Sequence, residues 1–419
     1  MATRVPFVST AYSAYYHRER PAEDAELTQV GPGTPCGEYL RRFWQPIIAS
    51  EEVQELPQRL RIMGEDLVVF RDKRGALGLL ELYCPHRGTS LEFGLVGEKG
   101  LRCCYHGWLF DVDGKILETP GEPPDSTLKD RLYHGAYPLR EYAGLVFAYM
   151  GPPDKRPAFP IFDTYDLPGY ELVAMPGYVW PCNWLQIKEN SMDPAHLAFL
   201  HTLPGSTGFT TDLVALGEWD YMETPAGMVY IDTRRQADRV WVRVADFIPP
   251  NIHQFPPNAD SIAQRTSMNR PTATRWAVPI EDNHTMQIGF NRAPAGREPR
   301  RGAGFGQDGN RPYAERQRVP GDYDAQVSIH GGIARHGLEH LAATDRGITM
   351  LRNMIRRGIR AVQHGADPEY LIYQDGKVIP TYSQDRVVSG VTAAPTPEED
   401  RRLLREIGRK VIEDCQRYG

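Results

Sequence analysis

The segments CPHRG at residues 84–88 and CCYHGW at residues 103–108 carry the clearest structural signal in this chain of 419 residues. Each segment offers one cysteine and one histidine at similar spacing, namely Cys84 with His86 and Cys103 with His106. Two thiolates and two imidazoles suit a [2Fe–2S] cluster in which two Cys hold one iron and two His hold the other. A glycine follows each pair and lets backbone amides turn toward the bridging sulfides. The pattern therefore predicts a protein that transfers electrons.

Two other interpretations fit these residue types less well. A zinc site uses the same ligands, but it usually pairs Cys with Cys and His with His, whereas each segment here carries one of each. Unrelated core cysteines and surface histidines would not be expected in this order inside two glycine-flanked loops. One ambiguity remains in the ligand set, because Cys104 adjoins Cys103.

At these residues the chain resembles the Rieske family. In that family two residues separate Cys from His in the second loop, which implies that Cys103 is the ligand and Cys104 a bystander. Membrane-complex Rieske proteins carry an extra Cys in each loop that can form a disulfide. Thr89 and Tyr105 stand at those positions here, which argues against the high-potential type.

A second motif, ENSMDPAHLAFLH, occupies residues 189–201. It resembles the mononuclear iron motif of Rieske non-haem oxygenases, where two His and a distant carboxylate form a facial triad with open positions for dioxygen. The resemblance implies that His196 and His201 bind Fe(II). It also implies that Asp193 accepts a hydrogen bond from a cluster histidine of the neighbouring subunit, which corresponds to His106.

Helix geometry adds a structural prediction at this motif. The step of five residues from His196 to His201 rotates away from a common helix face, so both can reach one ion only if the helix ends or bulges there. The alternative to iron binding, for either histidine considered by itself, is an ordinary structural role in the core or on the surface. For Asp193 the alternative is an N-cap, because Pro194 suits the first position of a helix. The motif context favours the bridging role.

The third iron ligand is expected far downstream. The family takes it from an Asp at the start of a long helical region, and the matching stretch here is GDYDAQ at residues 321–326. Asp322 is the choice and Asp324 the alternative. Whichever is not the ligand is expected to cap the helix that begins after Gly321.

The charge and composition of the chain argue against several classes of function. The formal net charge is −6 and no block of Lys and Arg occurs, so neither nucleic acid nor an anionic membrane is indicated as a partner. The N-terminus lacks the apolar core of a signal peptide, and no apolar run is long enough to cross a bilayer. The remaining cysteines show no regular disulfide framework. A cytoplasmic protein is therefore predicted.

Local patterns predict the order of the elements. β-Hairpins are expected about Asp72–Gly75 and Asp113–Gly114, and a Pro-rich, charged linker at residues 151–157 ends this β region. Further strands are predicted at residues 229–231, 240–244 and 286–290, and amphipathic helices at 348–362 and 404–415. Thr396 starts a capping box for the last helix. Residues 293–321, poor in large apolar side chains, are expected to form a surface loop, with a mobile lid as the alternative.

These patterns predict an α+β protein. Residues 1–44 form an N-terminal segment with a short helix from Glu38 to Trp44. Residues 45–155 form an antiparallel β Rieske domain, and residues 156–419 form a catalytic domain in which helices back an antiparallel sheet. For the catalytic domain the family resemblance implies a helix-grip fold.

The resemblance covers nearly the whole chain and is closest to α subunits of the phthalate and phenoxybenzoate dioxygenase group. It implies a terminal oxygenase in the catabolism of aromatic compounds, which uses O2 at Fe(II) to hydroxylate, dihydroxylate or dealkylate a carboxylated aromatic substrate. It further implies a flavin/iron–sulfur reductase that supplies electrons from NAD(P)H, and a homotrimer or two stacked trimers packed head to tail. The alternatives are a Rieske electron-transfer protein without oxygenase activity and a non-enzymatic metal-binding module. Neither needs the second iron motif.

Overall fold

The computed structural model describes residues 10–16, 20–203, 213–256, 268–296 and 309–418. Runs of strands in mainly antiparallel sheets are separated by groups of helices in these ranges, which confirms the predicted α+β class. The α-helices are α1 (Ala25–Thr28), α2 (Pro35–Leu40), α3 (Leu128–Arg131), α4 (Trp184–Ser191), α5 (Tyr313–Arg318), α6 (Asp322–Val327), α7 (Arg346–Gln363) and α8 (Pro397–Tyr418). Among the described residues, no helix combines the length and the apolar character needed to span a membrane.

The first ten strands lie within residues 45–148 and form three small antiparallel sheets. They are β1 (Gln45–Ala49), β2 (Gln58–Ile62), β3 (Glu65–Arg71), β4 (Leu77–Glu81), β5 (Leu95–Gly97), β6 (Gly100–Arg102), β7 (Leu109–Phe110), β8 (Ile116–Glu118), β9 (Leu139–Tyr142) and β10 (Leu145–Ala148). The sheet orders are β1-β10-β9, β2-β3-β4 and β5-β6-β7-β8. Both predicted hairpins are confirmed, since β3 pairs with β4 and β7 with β8.

A nine-stranded sheet dominates the second half of the chain. Its order is β12-β19-β18-β16-β15-β14-β13, with β21 paired to β15 and β17 to β21; β11 and β20 form a separate parallel pair. The strands are β11 (Ile161–Phe162), β12 (Tyr170–Trp180), β13 (Glu218–Thr224), β14 (Gly227–Gln236), β15 (Arg239–Ile248), β16 (Ile252–Phe255), β17 (Met268–Asn269), β18 (Ala273–Glu281), β19 (His284–Pro294), β20 (Val378–Ile379) and β21 (Gln384–Ser389). The three predicted strands of this half are confirmed as β14, β15 and β19.

The main hydrophobic core joins the two halves of the chain. The ring of Phe147 on β10 packs against Phe159 (4.9 Å between centroids) and against Trp276 on β18 (5.7 Å), and Trp276 contacts Phe290 on β19 (5.9 Å). A smaller core, with Phe70, Leu101 and other buried side chains, lies beneath the cysteine–histidine loops. Burying one such side chain stabilises the fold by roughly 1.5–3 kcal/mol.

The first predicted helix is misplaced by several residues. It extends over Pro35–Leu40 instead of Glu38 to Trp44, because Thr34 Oγ1 accepts the Gly37 N–H at 3.2 Å and proline occupies the first turn. Trp44 lies beyond the helix end, where its indole N–H donates to the Pro157 carbonyl at 3.1 Å.

The C-terminal helices follow their sequence patterns. The apolar stripes lie on α7 and α8, as predicted. The capping box is confirmed, since Thr396 Oγ1 accepts the Glu399 N–H at 3.2 Å and Glu399 Oε2 accepts the Thr396 N–H at 3.1 Å. Of the segment expected to be a loop or lid, residues 297–308 lie outside the described residues, and α5 is a helix that the sequence pattern did not predict.

Candidate metal centres

The two cysteine–histidine loops have the same backbone geometry. In each loop the cysteine N–H donates to the carbonyl five residues later, at 2.9 and 2.8 Å. The cysteine carbonyl accepts the N–H of the glycine four residues later, at 2.8 and 3.1 Å. These glycines, Gly88 and Gly107, have φ values of 76° and 75°, in the left-handed region that favours glycine. Each loop is thus closed by a local turn that its own sequence specifies.

The turns bring the four predicted cluster residues together. Cys84 and Cys103 are both buried, and their thiols are close enough to hydrogen-bond. The rings of His86 and His106 lie beside each other, with centroids 4.5 Å apart at 72°. The adjacent Cys104 side chain is exposed, in contrast to the two buried thiols.

Trp108 supports the histidine side of this group. Its buried ring stacks on His86 with centroids 4.9 Å apart and the planes 2° from parallel. Arg102 Nη1 donates to the Gly107 carbonyl at 2.7 Å and braces the second loop. His86 is exposed and His106 half-buried, so the histidines face solvent while the thiols face the core.

Two of these four side chains, Cys84 and His106, have shifted pKa values. Burial raises the pKa of Cys84 to about 11, and the adjacent Cys103 thiol adds to the effect. Partial burial lowers the pKa of His106, and the neighbouring His86 and Arg87 add to this effect. Metal binding needs deprotonated cysteine and neutral histidine as donors, and a bound cation favours thiolates over thiols.

The second predicted group also converges. His196, His201 and Asp322 each offer one ligand atom, and these atoms lie within 4.8 Å of one another. Asp322 Oδ1 is 3.3 Å from His201 Nε2 and 3.8 Å from His196 Nε2. Two imidazole nitrogens and one carboxylate oxygen fit the donor set of a non-haem Fe(II) site with open positions.

A break in the helix allows both histidines to face the same point. Helix α4 ends at Ser191, and His196 and His201 lie on two separate 3₁₀ turns, His196–Ala198 and Leu200–Thr202. Phe199, between the turns, has φ −114° and ψ −61°. The predicted irregularity is therefore confirmed, and it places the two rings 5.3 Å apart.

The two acidic residues at the start of α6 have different surroundings. Asp322 faces the histidines, and Asn190 of α4 donates to its Oδ1 at 3.4 Å. Asp324 instead accepts the Gly321 N–H at 3.0 Å and pairs with Arg311 (2.9 Å) and Arg316 (2.5 Å). Asp324 therefore caps the helix, and Asp322 is the acid of this pair that points at the histidines.

Asp193 orients His196. The His196 Nδ1–H donates to the Asp193 carbonyl, and one Asp193 carboxylate oxygen is 3.7 Å from the same nitrogen. The other carboxylate oxygen accepts the Ala195 N–H at 2.8 Å, so the capping contact considered as the alternative is present. Burial opposes ionisation of Asp193, but hydrogen bonds from His196 and Ala195 outweigh it and lower its pKa. With Nδ1 engaged, His196 turns Nε2 toward Asp322.

A buried ion-pair network braces the helix that precedes the histidines. Arg352 of α7 donates to Glu189 of α4 at 2.5 Å and binds Glu339 through two hydrogen bonds of 2.6 and 2.9 Å. Burial raises the pKa of Glu189 despite the neighbouring guanidinium. The sequence pattern did not predict these contacts, because Arg352 and Glu189 lie 163 residues apart along the chain.

Comparison with known proteins agrees with this geometry. The model of the Rieske [2Fe-2S] domain family matches residues 43–142. The oxygenase subunit of tert-butanol monooxygenase/tert-amyl alcohol desaturase from Aquincola tertiaricarbonis is 42% identical, and the match covers 98% of this chain and 94% of that protein. Phenoxybenzoate dioxygenase subunit alpha from Ectopseudomonas oleovorans is 38% identical, with 88% and 92% covered.

A solved structure shares the fold at low sequence identity. The NdmA QL mutant of Pseudomonas putida CBB5 with caffeine superposes with a TM-score of 0.63 at 18% identity, covering 82% of this chain and 99% of that one. The two full-length relatives are similar enough to establish the family. The chain belongs to the Rieske non-haem iron oxygenases, as an oxygenase subunit whose cofactors are a Rieske [2Fe–2S] cluster and a mononuclear Fe(II).

Proposed function

We propose that the chain is a terminal oxygenase in which two separate sets of side chains hold the two cofactors. Cys84, His86, Cys103 and His106 hold the [2Fe–2S] cluster, and His196, His201 and Asp322 hold Fe(II). The observation that carries the second assignment is the convergence of two imidazoles and one carboxylate within 4.8 Å. A Rieske electron carrier has no use for such a site, so the oxygenase function is favoured over the carrier.

When bound, the two groups would supply electron storage at the cluster and activation of dioxygen at Fe(II). The protein's own contribution is orientation. The Asp193 carbonyl accepts the Nδ1–H of His196, and Asn190 donates to the carboxylate of Asp322. Residues at the end of α4 and just after it therefore orient two of the three proposed ligands. Such supporting hydrogen bonds set the direction and the basicity of metal ligands.

For the substrate, we propose an aromatic compound that is hydroxylated, dihydroxylated or dealkylated. Support comes from the aromatic side chains beside the triad: Tyr323, next to Asp322, packs edge-on against Trp180 at 5.6 Å. A tertiary alcohol is the second candidate, because a relative with 42% identity is named for tert-butanol. The two candidates differ in charge and size, and a substrate panel separates them.

Oxygenase subunits of this kind work with a reductase or ferredoxin partner. We propose a flavin/iron–sulfur reductase that draws electrons from NAD(P)H, acting in the cytoplasm, where the free cysteines stay reduced. We also propose a homotrimer, or two stacked trimers, in which Asp193 accepts a hydrogen bond from His106 of the next chain. Asp193 is 26% exposed and His106 half-buried, so both are accessible to a second copy.

The domain division is part of the same proposal. We assign residues 1–44 to an N-terminal segment, residues 45–155 to the Rieske domain and residues 156–419 to the catalytic domain. The separate small core beneath the cluster loops supports a distinct lobe, and the ring of Phe147 packs against Trp276 across the proposed boundary.

Metal analysis combined with turnover tests this function. The purified protein is expected to contain the iron of a [2Fe–2S] cluster plus one further iron per chain. With a reductase, NADH and O2 consumption should be coupled to product formation on at least one aromatic substrate or tertiary alcohol. A protein that carries only cluster iron and reduces no O2 with any substrate would be an electron carrier.

A further inference from the structure

A cavity lies where the first half of the chain meets the second. Its volume is about 340 Å³, and it lies between β9, the segment that follows the predicted linker, and the loop between α7 and β20. The Ala158 N–H donates to the Ile372 carbonyl at 2.7 Å and so joins that segment to the loop. Small-molecule sites usually have volumes of about 300–1,000 Å³ and often lie at such boundaries. This space, here called the junction cavity, is therefore large enough for one small ligand.

The junction cavity is separate from both proposed metal centres and opens to solvent. None of the proposed ligands of the cluster or of Fe(II) lines it. Arg140, Arg156 and Tyr373 do line it, and all three are exposed, so a ligand can enter without a change in the fold. A molecule bound there would not occupy the space beside the iron.

Two arginine side chains line the junction cavity without an acidic partner. Within the residues that the structure describes, neither Arg140 nor Arg156 forms an ion pair or a hydrogen bond through its guanidinium. By contrast, Arg42 pairs with Asp367 at 3.2 Å. The guanidinium carbon of Arg140 lies 4.6 Å from the ring centroid of Phe159, and this cation–π contact orients the group over the ring. Both guanidinium groups therefore keep their N–H donors for a ligand.

An exposed aromatic ring and a carboxylate complete the polar lining. Partial burial and a hydrogen bond to Asp367 raise the pKa of Tyr373 to about 12. The Tyr373 hydroxyl is thus held by the protein, while the residue remains 54% exposed and its ring can stack on a planar ligand. Asp375 is also exposed and forms no ion pair among the described residues, so its carboxylate can accept hydrogen bonds from hydroxyl groups.

We propose that the junction cavity binds a nucleoside monophosphate. Arg140 and Arg156 bind the phosphate, because its three terminal oxygens can accept from two planar guanidinium groups. A carboxylate has only two oxygens, and one bidentate arginine occupies both. Tyr373 stacks on the base, and Asp375 accepts hydrogen bonds from the sugar hydroxyls. The volume is near the lower end of the usual range, which favours a single nucleotide over a dinucleotide.

Binding at this place should also stabilise the folded protein. The lining residues come from both halves of the chain, with Arg140 on β9 and Asp375 in the loop before β20. A ligand that contacts both halves binds the folded state and not the unfolded chain. The midpoint of unfolding should therefore rise as the ligand concentration exceeds its dissociation constant.

Calorimetric titration of the holoprotein in a phosphate-free buffer tests the proposal. The probes are AMP, adenosine, phenyl phosphate and inorganic phosphate. AMP is expected to bind roughly tenfold or more tightly than each of the other three, because each lacks either the charged group or the base and sugar. Thermal unfolding in the presence of AMP gives an independent measurement, since its midpoint should rise with the AMP concentration.

Three variants locate the binding. Arg140→Gln and Arg156→Gln each remove one guanidinium, and each should lower the ratio of AMP to adenosine affinity roughly tenfold or more. Tyr373→Leu should weaken the binding of AMP and adenosine alike and leave that of inorganic phosphate unchanged. Arg402→Gln is the matched control, because Arg402 is exposed on α8, and it should retain the wild-type affinities. Circular dichroism and the visible spectrum of the cluster check that each variant is intact.

The proposal is overturned if AMP binds no more tightly than adenosine, or if both arginine variants keep the wild-type ratio. Phenyl phosphate that binds as tightly as AMP also overturns it, because the base and the sugar would then contribute nothing. The result does not depend on the oxygenase function, which iron content and turnover test separately.

Discussion

The two metal centres of this protein are assembled in opposite ways. All four proposed cluster ligands lie between residues 84 and 106, and each pair is held by a turn with the same two backbone hydrogen bonds. The proposed Fe(II) ligands come from two 3₁₀ turns after α4 and from α6, more than a hundred residues later. Contacts between those helices hold them together, such as the Gln186 side chain donating to the Gln326 carbonyl at 2.7 Å.

The two regions also differ in how many charged side chains they bury. The core beneath the cluster loops consists of apolar side chains. The catalytic region instead contains buried ion pairs, including Arg352 with Glu189 and Arg243 with Asp385. Apolar packing tolerates small shifts, whereas a buried ion pair loses most of its benefit when one partner is removed. The cluster site should therefore resist distant substitutions that disrupt the iron site.

The largest effect is expected from removing a cluster thiol. Cys103→Ser should abolish the Rieske EPR signal and reduce turnover to background, because one iron loses a ligand and electrons no longer reach the catalytic site. Cys104→Ser is the matched control, since its side chain is exposed, and it should keep both properties. The reverse result would make Cys104 the ligand.

The next largest effect is expected from removing one of the two acidic residues in the first turn of α6. Asp322→Ala should lose the mononuclear iron and all detectable oxygenation while the cluster spectrum is unchanged, because the two centres have separate ligands. Asp324→Ala should keep its iron, since that carboxylate binds Arg311 and Arg316. Iron analysis and oxygen consumption measure both variants. If the Asp324 variant loses iron and the Asp322 variant keeps it, Asp324 is the ligand.

Asp193→Asn should have an intermediate effect. Both metals should remain bound, because the Asp193 backbone carbonyl still accepts the His196 Nδ1–H. Turnover should fall by about 10–100-fold, because the variant loses the carboxylate charge proposed to hold His106 of the next chain. The cluster should still be reduced by the reductase, so stopped-flow reduction and steady-state rates would diverge. Light scattering of the wild-type protein accompanies this test. A fully active monomer, or a variant with the wild-type rate, contradicts the proposed route between subunits.

Removing the ion-pair network around Arg352 should destabilise the catalytic region more than the cluster region. Arg352→Met leaves Glu189 and Glu339 without their buried cation and should lower the free energy of unfolding by about 3–5 kcal/mol. Arg357→Met on the same helix is the control, because its pair with Glu223 is largely exposed and should cost about 0–1 kcal/mol. Denaturant unfolding gives both values. We expect the Arg352 variant to lose mononuclear iron while the cluster signal persists.

The smallest effect concerns pH. Burial raises the pKa of Asp246 on β15 to about 7, from its usual value near 3.8. The folded protein then binds more protons than the unfolded chain between about pH 4 and 7, so this group's contribution to stability falls as the pH rises through that window. From pH 5 to 7 the loss is about 2 kcal/mol. Asp246→Asn should remove that slope in unfolding measurements.

His134, near the core beneath the cluster loops, should make the stability depend on pH in the opposite direction from Asp246. Burial lowers its pKa from the usual 6.5, while its Nε2–H donates to the Glu81 carbonyl at 2.7 Å. The unfolded state therefore binds more protons as the pH falls through about 6.5, and this group's contribution to stability decreases toward low pH. His134→Gln should flatten that decrease. Identical pH slopes for wild type and both variants would contradict the contrast between the two regions.

Local interactions account for what could be predicted. The hairpins, the loops that carry the proposed cluster ligands and the capping box at Thr396 all depend on groups a few residues apart, so the sequence pattern predicts them. The start of α2 was misplaced because the cap at Thr34 outweighed the apolar pattern on which the prediction relied. Helix α5 was not predicted, since its segment has few large apolar residues.

The sequence alone was sufficient for the α+β class and for the residues proposed at each metal centre, because these depend on short-range patterns and ligand chemistry. The family followed from the resemblance of those motifs to known ones. Tertiary packing was needed to distinguish the role of Asp322 from that of Asp324. Both lie in the first turn of the same helix, and only their distant neighbours differ. Tertiary packing also brought Lys188 to His253 and Arg352 to Glu189. Side-chain direction in such contacts depends on how remote elements pack, and no local pattern encodes that.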